Sequence, residues 1–342
     1  MLINSTIKLL IVGSDYEWSI EQSYLKVLKN KEVITELYPL QNKFFDFYYR
    51  SIVHKIIYRL GLSNILKRLN NELLLFVESF QPTHVWIFKG MEVLPTTLQS
   101  FKEKGIKLIN YNPDNPFIFT GRGSGNNNIS LSISLYDWYL SYDRSVVQQL
   151  KAMKVHADLF PFAIDYDKKD IPLTNRLSIP RLAFIGNPDQ ERVLFLNQLA
   201  ALGVPLDVYG HDWNRSNLNT TVKIFDALSR LDYKKLAPQY KAVLNLMRIH
   251  NVDSHNMRSL EIPAFGGVQL ASHTTDHTIF FEEGKEVFLF SNAAEAVQQW
   301  VKILSLSNQY LLEGVQSAQY KLLHEHSYEA RIDFFLKGLE IF

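Results

Sequence analysis

The stretch HNVDSHNMRSLEIPAFGGVQLAS, residues 250–272, sets His250, Asn251, Asp253, Ser254, His255, Asn256 and Arg258 directly after an apolar run, AVLNLMR (242–248). Polar residues so dense between a strand and a helix form either a solvated loop or the rim of a binding site. The chemistry they suit is anion binding. Arg248 and Arg258 can make charge-assisted hydrogen bonds to a phosphate. The helix expected over 256–265 points its free backbone N–H groups, with their partial positive charge, at the same rim. Glu261 lies inside that helix, and the Phe265-Gly266-Gly267 turn lets the backbone leave it sharply. A second rim follows the same logic. RLAFIGN (181–187) ends in Gly186 and Asn187, with Arg192 in the first turns of the next helix. Glycine admits a ligand close to the backbone, and arginine neutralises phosphate. Two such strand ends in one domain point to a nucleotide diphosphate.

The elements that must position these residues are strands, because open α/β sheets bind ligands beyond their carboxyl ends. Apolar runs at IKLLIVG (7–13), VITELY (33–38), THVWIFKG (83–90), KLINYN (107–112), WYLSYD (138–143) and VHADLFPFA (155–163) read as strands. Helical stretches near 17–29, 44–79, 95–104 and 144–153 separate most of them. Such alternation means βαβ units and a parallel sheet. Pro161, Pro172 and Pro180 then punctuate a charged linker. Beyond it the alternation restarts: strands 181–187, 206–210, 242–248, 268–272 and 286–291, helices 189–202, 232–240 and 256–265, and a helical tail from 293. The expected layout is an amino-terminal Rossmann-like domain over 1–163, a linker over 164–180, a second Rossmann-like domain over 181–325 and a carboxy-terminal helix over 326–342. GRGSGNNNIS (121–130) matches neither a dinucleotide nor a P-loop spacing and reads as a mobile loop.

Composition excludes several classes. A length of 342 residues exceeds the about 250–300 that one core usually organises. A net charge of +1 gives no global field for nucleic acid. The absence of cysteine excludes disulfides, thiolate nucleophiles and cysteine-ligated zinc, and fits a reducing compartment. No apolar run reaches the about 18–20 residues that span a bilayer, and MLINSTIKLLIVG reads as a first strand rather than a signal peptide.

With these residues in place, the chain resembles glycosyltransferases of the GT-B fold, in particular the CgeB-like (spore maturation protein-like) group with a "group 1" carboxy-terminal domain. The segments that carry the resemblance include FIGNPDQERVLFLNQLA, VYGHDW, LNLMRIHNVDSHNMRSLEIPAFGGVQL and FFEEGKEVFLF. It implies two domains facing across a cleft, with carboxy-terminal helices returning toward the first. It implies transfer of a sugar, with retention and without a divalent metal or other cofactor, from a UDP-, GDP- or dTDP-linked donor to a glycan or lipid-linked acceptor. Cell-surface polysaccharide or another glycoconjugate is the usual destination. Related retaining enzymes use two acids separated by seven positions, one on the donor sugar and one on the ribose. Here these match Asp253, a shorter acid than usual, and Glu261. Arg192 matches the basic residue on the diphosphate, and the usual Gly-Arg pair is Gly186-Asn187. Arg248, His250, Asn256, Arg258 and Gly266 complete the expected donor site. The amino-terminal half would take the acceptor at Gly13, Asp15 and Asp114, the last as a catalytic or acceptor-orienting group. Glu286 is implied as a site-edge residue.

Each of these has a plainer reading. Asp253 and Glu261 suit a helix cap and a helix-surface carboxylate. Asp114 suits an Asx-turn between two prolines, and Glu286 a charged turn. SHTTDH (272–277) reads as a solvated loop rather than a metal site, and no Asp-X-Asp stands outside the linker. Segment 43–70 carries Lys43, Arg50, Lys55, Arg59, Lys67 and Arg68 against Asp46 alone. Its apolar face is expected to pack on the first sheet, with a peripheral contact to an anionic membrane as the other reading. Two rivals to transfer stay open: an epimerase-like enzyme acting on the nucleotide sugar itself, and a non-catalytic nucleotide-sugar-binding scaffold. The expected location is the cytoplasm, with the inner face of the membrane as the variant of that reading; no nucleic acid is expected as a partner.

Overall fold

The strands predicted from apolar alternation pair into two parallel sheets. The computed structural model describes residues 7–119, 123–165, 174–248 and 253–339. Two units emerge, one of Met1–Pro161 with Arg331–Phe342 and one of Phe162–Ala330. The first holds β1 (Lys8–Val12), α1 (Ile20–Asn30), β2 (Ile34–Tyr38), α2 (Leu40–Tyr48), α3 (Ile52–Arg59), α4 (Ile65–Phe80), β3 (His84–Phe88), α5 (Pro95–Glu103), β4 (Lys107–Asn112), α6 (Asn127–Ser132), β5 (Trp138–Ser141), α7 (Arg144–Ala152) and β6 (Ala157–Leu159). The second runs β7 (Ile179–Ile185), α8 (Gln190–Ala201), β8 (Leu206–Tyr209), β9 (Lys223–Phe225), α9 (Arg230–Leu236), β10 (Tyr240–Asn245), α10 (Met257–Ala264), β11 (Gln269–Ser272), α11 (Thr275–Phe280), β12 (Val287–Phe290), α12 (Ala293–Ser305) and α13 (Asn308–Glu325). Helix α14 (Tyr328–Leu339) follows.

Strand order is β2-β1-β3-β4-β5-β6 in the first sheet and β12-β11-β10-β7-β8-β9 in the second. All pairings are parallel, with Val12 opposite Ile87 and Leu244 opposite Phe184 at the centres. Each order reverses direction at one point, between β1 and β3 and between β7 and β10. At such a switch point the loops leaving adjacent strands diverge to opposite faces and open a crevice.

Both faces of each sheet are covered, so the central strands are continuous apolar runs rather than alternating ones. In the second unit Leu182, Phe184, Val208, Leu244 and Leu270 face one core. Their neighbours Ala183, Ile185, Tyr209, Val243 and Ala271 face another. This is the period of two of an extended chain. In the first unit Leu10, Val12, Val85 and Ile87 pack under Leu69, Leu73 and Val77 of α4. On the reverse face of the first sheet Phe335 of α14 stacks on Trp86 at 4.0 Å between ring centroids, which returns the carboxy-terminal residues to that unit. An aromatic pair of this kind contributes about 0.5–1.5 kcal/mol beyond the area it buries.

The long helical region expected over 44–79 is three helices. Ser51 caps α3 by accepting from the His54 backbone N–H, and Gly61 takes a left-handed φ of 71° after it. The reading of 121–130 as a loop also needs correction. Asn126 accepts from Ile129 N–H and starts α6, while residues 121 and 122 lie outside those described. Of the expected linker, residues 166–173 lie outside those described, and 179–180 already belong to β7.

Candidate active site

The switch point of the second sheet gathers the arginines. Asp189 caps α8, accepting from Arg192 N–H at 2.9 Å, and so fixes Arg192 in the first turn of that helix. The Arg192 guanidinium donates from Nη1 to the Asn187 carbonyl at 2.9 Å. Its Nε lies 3.4 Å from Asp189 Oδ2 but makes no hydrogen bond among the described residues, although it is buried. Burial lowers the Arg192 pKa from its ordinary value, and repulsion from Arg248 and Arg258 adds to this against the opposing pull of Asp189. Three guanidinium groups therefore share one field. Arg192 and Arg248 line a cleft of about 430 Å³ together with Leu246, Met247, Ser272 and Ser291.

Asn187 turns its side chain to the next strand end, where Oδ1 accepts from His211 N–H at 3.0 Å. The Gly186 carbonyl accepts from Trp213 Nε1 at 2.7 Å. A Cβ on Gly210 would collide with that same carbonyl. The loop after β7 is thus closed on the loop after β8 by backbone contact.

Helix α10 is tied to the end of β10. Asn256 caps it, accepting from Ser259 N–H at 3.0 Å, while Ser259 Oγ accepts from Asn256 N–H. Asn256 Nδ2 donates to Asn245 Oδ1 at 2.9 Å. Its side chain therefore aims the helix rather than pointing a free amide outward. Arg258 donates from Nε to the Ile185 carbonyl at 3.2 Å, lies over the Tyr233 ring at 4.7 Å, and pairs through Nη1 with Glu261 Oε2. Arg230 sits 3.7 Å from the other Glu261 oxygen and stacks over Phe265. Glu261 is buried between two cations, and the reading of it as a helix-surface carboxylate is corrected. Gly266 leaves the helix at φ 88°, a conformation that costs a side-chain-bearing residue energy.

Asp253 is exposed and spends both oxygens on Thr275, at 2.7 Å from N–H and 2.8 Å from Oγ1. It holds the start of α11 and not the start of α10. His250 lies outside the described residues.

The solvated loop expected at 272–277 instead starts α11 and buries Thr274, Asp276 and His277 beneath this site, while His273 and Thr275 are exposed. Thr274 caps α11, and Asp276 and His277 are inaccessible to solvent. His277 Nδ1 faces the Ser272 carbonyl at 2.8 Å, so Nδ1 carries the proton and Nε2 accepts from Ser259 Oγ at 2.7 Å. Burial pushes the His277 pKa down to about 4. His255 Nδ1 meets Asp276 Oδ2, and the Phe162 N–H donates to His255 Nε2 at 3.1 Å. Among the described residues no group of three or more His, Asp or Glu side chains is placed to hold a metal ion.

Glu286 is buried as well. Lys321 Nζ at 2.6 Å, Ser317 and the Glu282 N–H all donate to its carboxylate. Burial alone would raise its pKa, but these hydrogen bonds outweigh it and hold the group below the ordinary carboxylate value. The expected charged turn is formed by Glu282, Glu283 and Lys285, whereas Glu286 anchors it to α13.

In the first unit, Gly13 follows β1 with no room for a side chain, because a Cβ would strike Glu21 Oε1. That carboxylate accepts from Ser14 N–H at 3.0 Å, and burial raises its pKa. Asp15 is exposed, with its N–H on Asn42 Oδ1 at 3.0 Å. Asp114 pairs with Lys89, which follows β3 at a left-handed φ of 60°. The Asx-turn there is made by Asn112, whose Oδ1 accepts from Asp114 N–H, so the Asp114 carboxylate is left to the lysine. Glu92, which the sequence did not single out, is buried with its pKa pushed up by burial to about 7.

Residues 191–337 match the family model described as "Glycosyl transferase-like", a span that takes in Arg192, Arg248, Asp253, Arg258 and Glu261. The chain has a GT-B fold, and this part of it is similar to glycosyl transferases. Solved structures extend the likeness over nearly the whole chain. Anabaena HepE in complex with UDP superposes with a TM-score of 0.64 at 11% identity, over 98% of this chain and 100% of that one. The same protein with UDP-glucose gives 0.62 at 10% identity over the same shares. A trehalose-6-phosphate synthase, studied with bisubstrate mimics of glycosyl transfer with retention, gives 0.65 at 12% identity over 98% and 99%. Curated proteins yield no match by sequence. At such identities these structures speak for the fold alone. Within it, the arginines and Glu261 come together, as their strand-end positions require. His255 stood in the polar run 250–258, and Asp276 and His277 in the segment read as a solvated loop, but their burial was not expected. Arg230 and Tyr233 were not singled out, and only the polar content of RLDYKK signalled them.

Proposed function

We propose that the chain is a retaining glycosyltransferase of the CgeB-like group, moving a hexosyl unit from a nucleotide-diphospho-sugar to an acceptor of a cell-surface polysaccharide or other glycoconjugate. The observation that carries the reading is the convergence of Arg192, Arg248 and Arg258 at the β7/β10 switch point, with a buried guanidinium N–H of Arg192 that has no acceptor among the described residues. A buried donor without a partner costs about 1–3 kcal/mol, which a diphosphate oxygen would recover. As the bond from the anomeric carbon to the diphosphate breaks, negative charge builds on the leaving group. Preorganised cations at that place are the main electrostatic demand of the reaction.

In this reading Glu261 exchanges part of its contact with Arg258 for the ribose hydroxyls, and Asp253 orients the sugar. Gly186 and Gly266 keep side chains away from the ligand's path. The guanidinium groups supply the neutralisation, so no divalent ion or other cofactor enters the scheme. Acceptor binding falls to the first unit, at Gly13, Asp15 and Asp114. Among donors UDP-sugars come first, because HepE, similar over the full chain, was solved with UDP and with UDP-glucose. A cytoplasmic location accords with the cysteine-free composition.

The test is a thermal-shift panel of UDP, GDP, dTDP, ADP and CMP, with and without EDTA, on the wild type and on Glu261→Ala. A ligand that binds only the folded state raises apparent stability by mass action. The reading expects a shift with UDP, unchanged by EDTA and lost in the variant. Absence of a shift with every nucleotide would overturn the donor site.

A further inference from the structure

Helix α3 is the part of the first unit that its core does not absorb. None of its residues is buried. His54 and Tyr58 make its inward contacts, packing on Phe47 and Phe44 at 4.8 and 4.9 Å between ring centroids. At 100° per residue the opposite side presents Ile52, Val53, Ile56, Ile57 and Leu60 as one stripe. Ile52 is 74% exposed, Leu60 66% and Val53 55%, and Leu62 just beyond the helix is 72% exposed. The expectation that this apolar face packs on the sheet therefore holds for α2 and α4, which bury Phe44, Leu69 and Leu73, and fails for α3.

The charge around the stripe is one-sided. Between Leu40 and Glu72 the chain carries Lys43, Arg50, Lys55, Arg59, Lys67 and Arg68 against Asp46 and Glu72. Glu72 is already engaged by Lys43 at 3.2 Å and Arg68 at 3.7 Å. Lys55 and Arg59 lie one turn apart along one border of the stripe. Arg59 donates to Tyr48 Oη and Lys55 sits over Tyr49 at 4.6 Å, so both are held beside the exposed apolar residues. No helix among the described residues is long and apolar enough to cross a membrane.

We propose that α3, with Tyr49 and Leu62 at its ends, docks on an anionic lipid surface. The aliphatic stripe enters the headgroup boundary, and the basic border meets lipid phosphates. A short helix with exposed aliphatic residues and a basic flank is the arrangement that binds in the plane of a bilayer. Charge complementarity selects the lipid surface over a second copy of the chain, whose own basic border would be brought against this one. The inference is independent of the donor site.

The experiment is co-sedimentation of the full chain with vesicles of phosphatidylcholine and phosphatidylglycerol in equal parts, and with phosphatidylcholine alone. Binding is expected to the mixed vesicles, to weaken as salt is raised, and to be much lower on the neutral ones. Lys55→Glu with Arg59→Glu should weaken it by about fivefold or more for each side chain changed. The triple change Ile52→Ser, Ile56→Ser and Leu60→Ser should release the protein while leaving thermal melting and nucleotide-induced shifts as in the wild type. Equal binding to both vesicle types, or none to either, would overturn the proposal. So would concentration-dependent self-association in sedimentation velocity that the triple change abolishes, since a second copy would then own the face.

Discussion

His255 Nδ1 lies 2.7 Å from Asp276 Oδ2, and neither side chain is reached by solvent. The Phe162 N–H donates to the other ring nitrogen, so the imidazole is neutral and gives its one proton to the carboxylate. Ser254 Oγ donates to the same oxygen at 3.1 Å. Through this contact the chain just before α10 is fixed to α11. Asp276→Ala should cost about 1.5–3 kcal/mol, the range for a hydrogen bond to a charged group. Asp276→Asn should cost less, because its carbonyl still accepts from Nδ1. Urea unfolding midpoints of the two variants check the order, and equal losses would contradict the assigned tautomer.

The neutral state of His277 sets a pH dependence. Its pKa falls from 6.5 to about 4 on folding. Between those values the unfolded chain binds a proton that the folded chain refuses. Stability is therefore complete above pH 6.5 and declines as pH falls toward 4, by about 3 kcal/mol at most. His277→Asn should flatten that slope. Glu286 acts in a lower window: its folded pKa lies below the ordinary 4.5, so its contribution is present above 4.5 and lost below it. Unfolding free energies measured at half-unit steps of pH would separate the two.

Arg192→Ala should weaken UDP binding by about ten- to a hundredfold, the equivalent of about 1.5–3 kcal/mol for one charge-assisted contact. Arg192→Lys should recover part of the loss, because a point charge neutralises phosphate without the planar fork. Titration calorimetry decides this, and an unchanged affinity in the alanine variant would remove Arg192 from the site.

Gly210→Ala places a methyl group against the Gly186 carbonyl, a backbone atom with little freedom to yield. A loss of about 1–3 kcal/mol is expected. Because Arg192 is bonded to Asn187 in the same loop, UDP affinity should fall too, although residue 210 is expected to touch no ligand. Melting and calorimetry on one preparation would test both effects.

Much of the fold was legible because its determinants are local. IKLLIVG, RLAFIGN and AVLNLMR are apolar runs long enough for buried strands, and Ser19, Asp143, Asp189 and Asn256 stand where helices begin. β9 was missed because Lys223–Phe225 is a three-residue exposed edge. α11 was missed because its six residues are polar at the start and carry no apolar period. The site was legible to the same depth. Glycines and arginines at strand ends could be listed, since a parallel sheet puts those ends on one edge.

The sequence by itself determined two parallel sheets, a grouping of Arg192, Arg248 and Arg258 near strand ends, and a basic, apolar segment at 43–70. Tertiary structure alone decided which polar groups are buried together and which apolar faces stay bare. Asp276 looks like a loop residue until His255, 21 positions away, supplies the proton that makes its burial tolerable. Glu261 looks like a surface carboxylate until Arg230 and Arg258 enclose it. The stripe on α3 has the same period whether or not something covers it. Periodicity tells a helix which side is apolar, but burial depends on what the rest of the chain brings against that side.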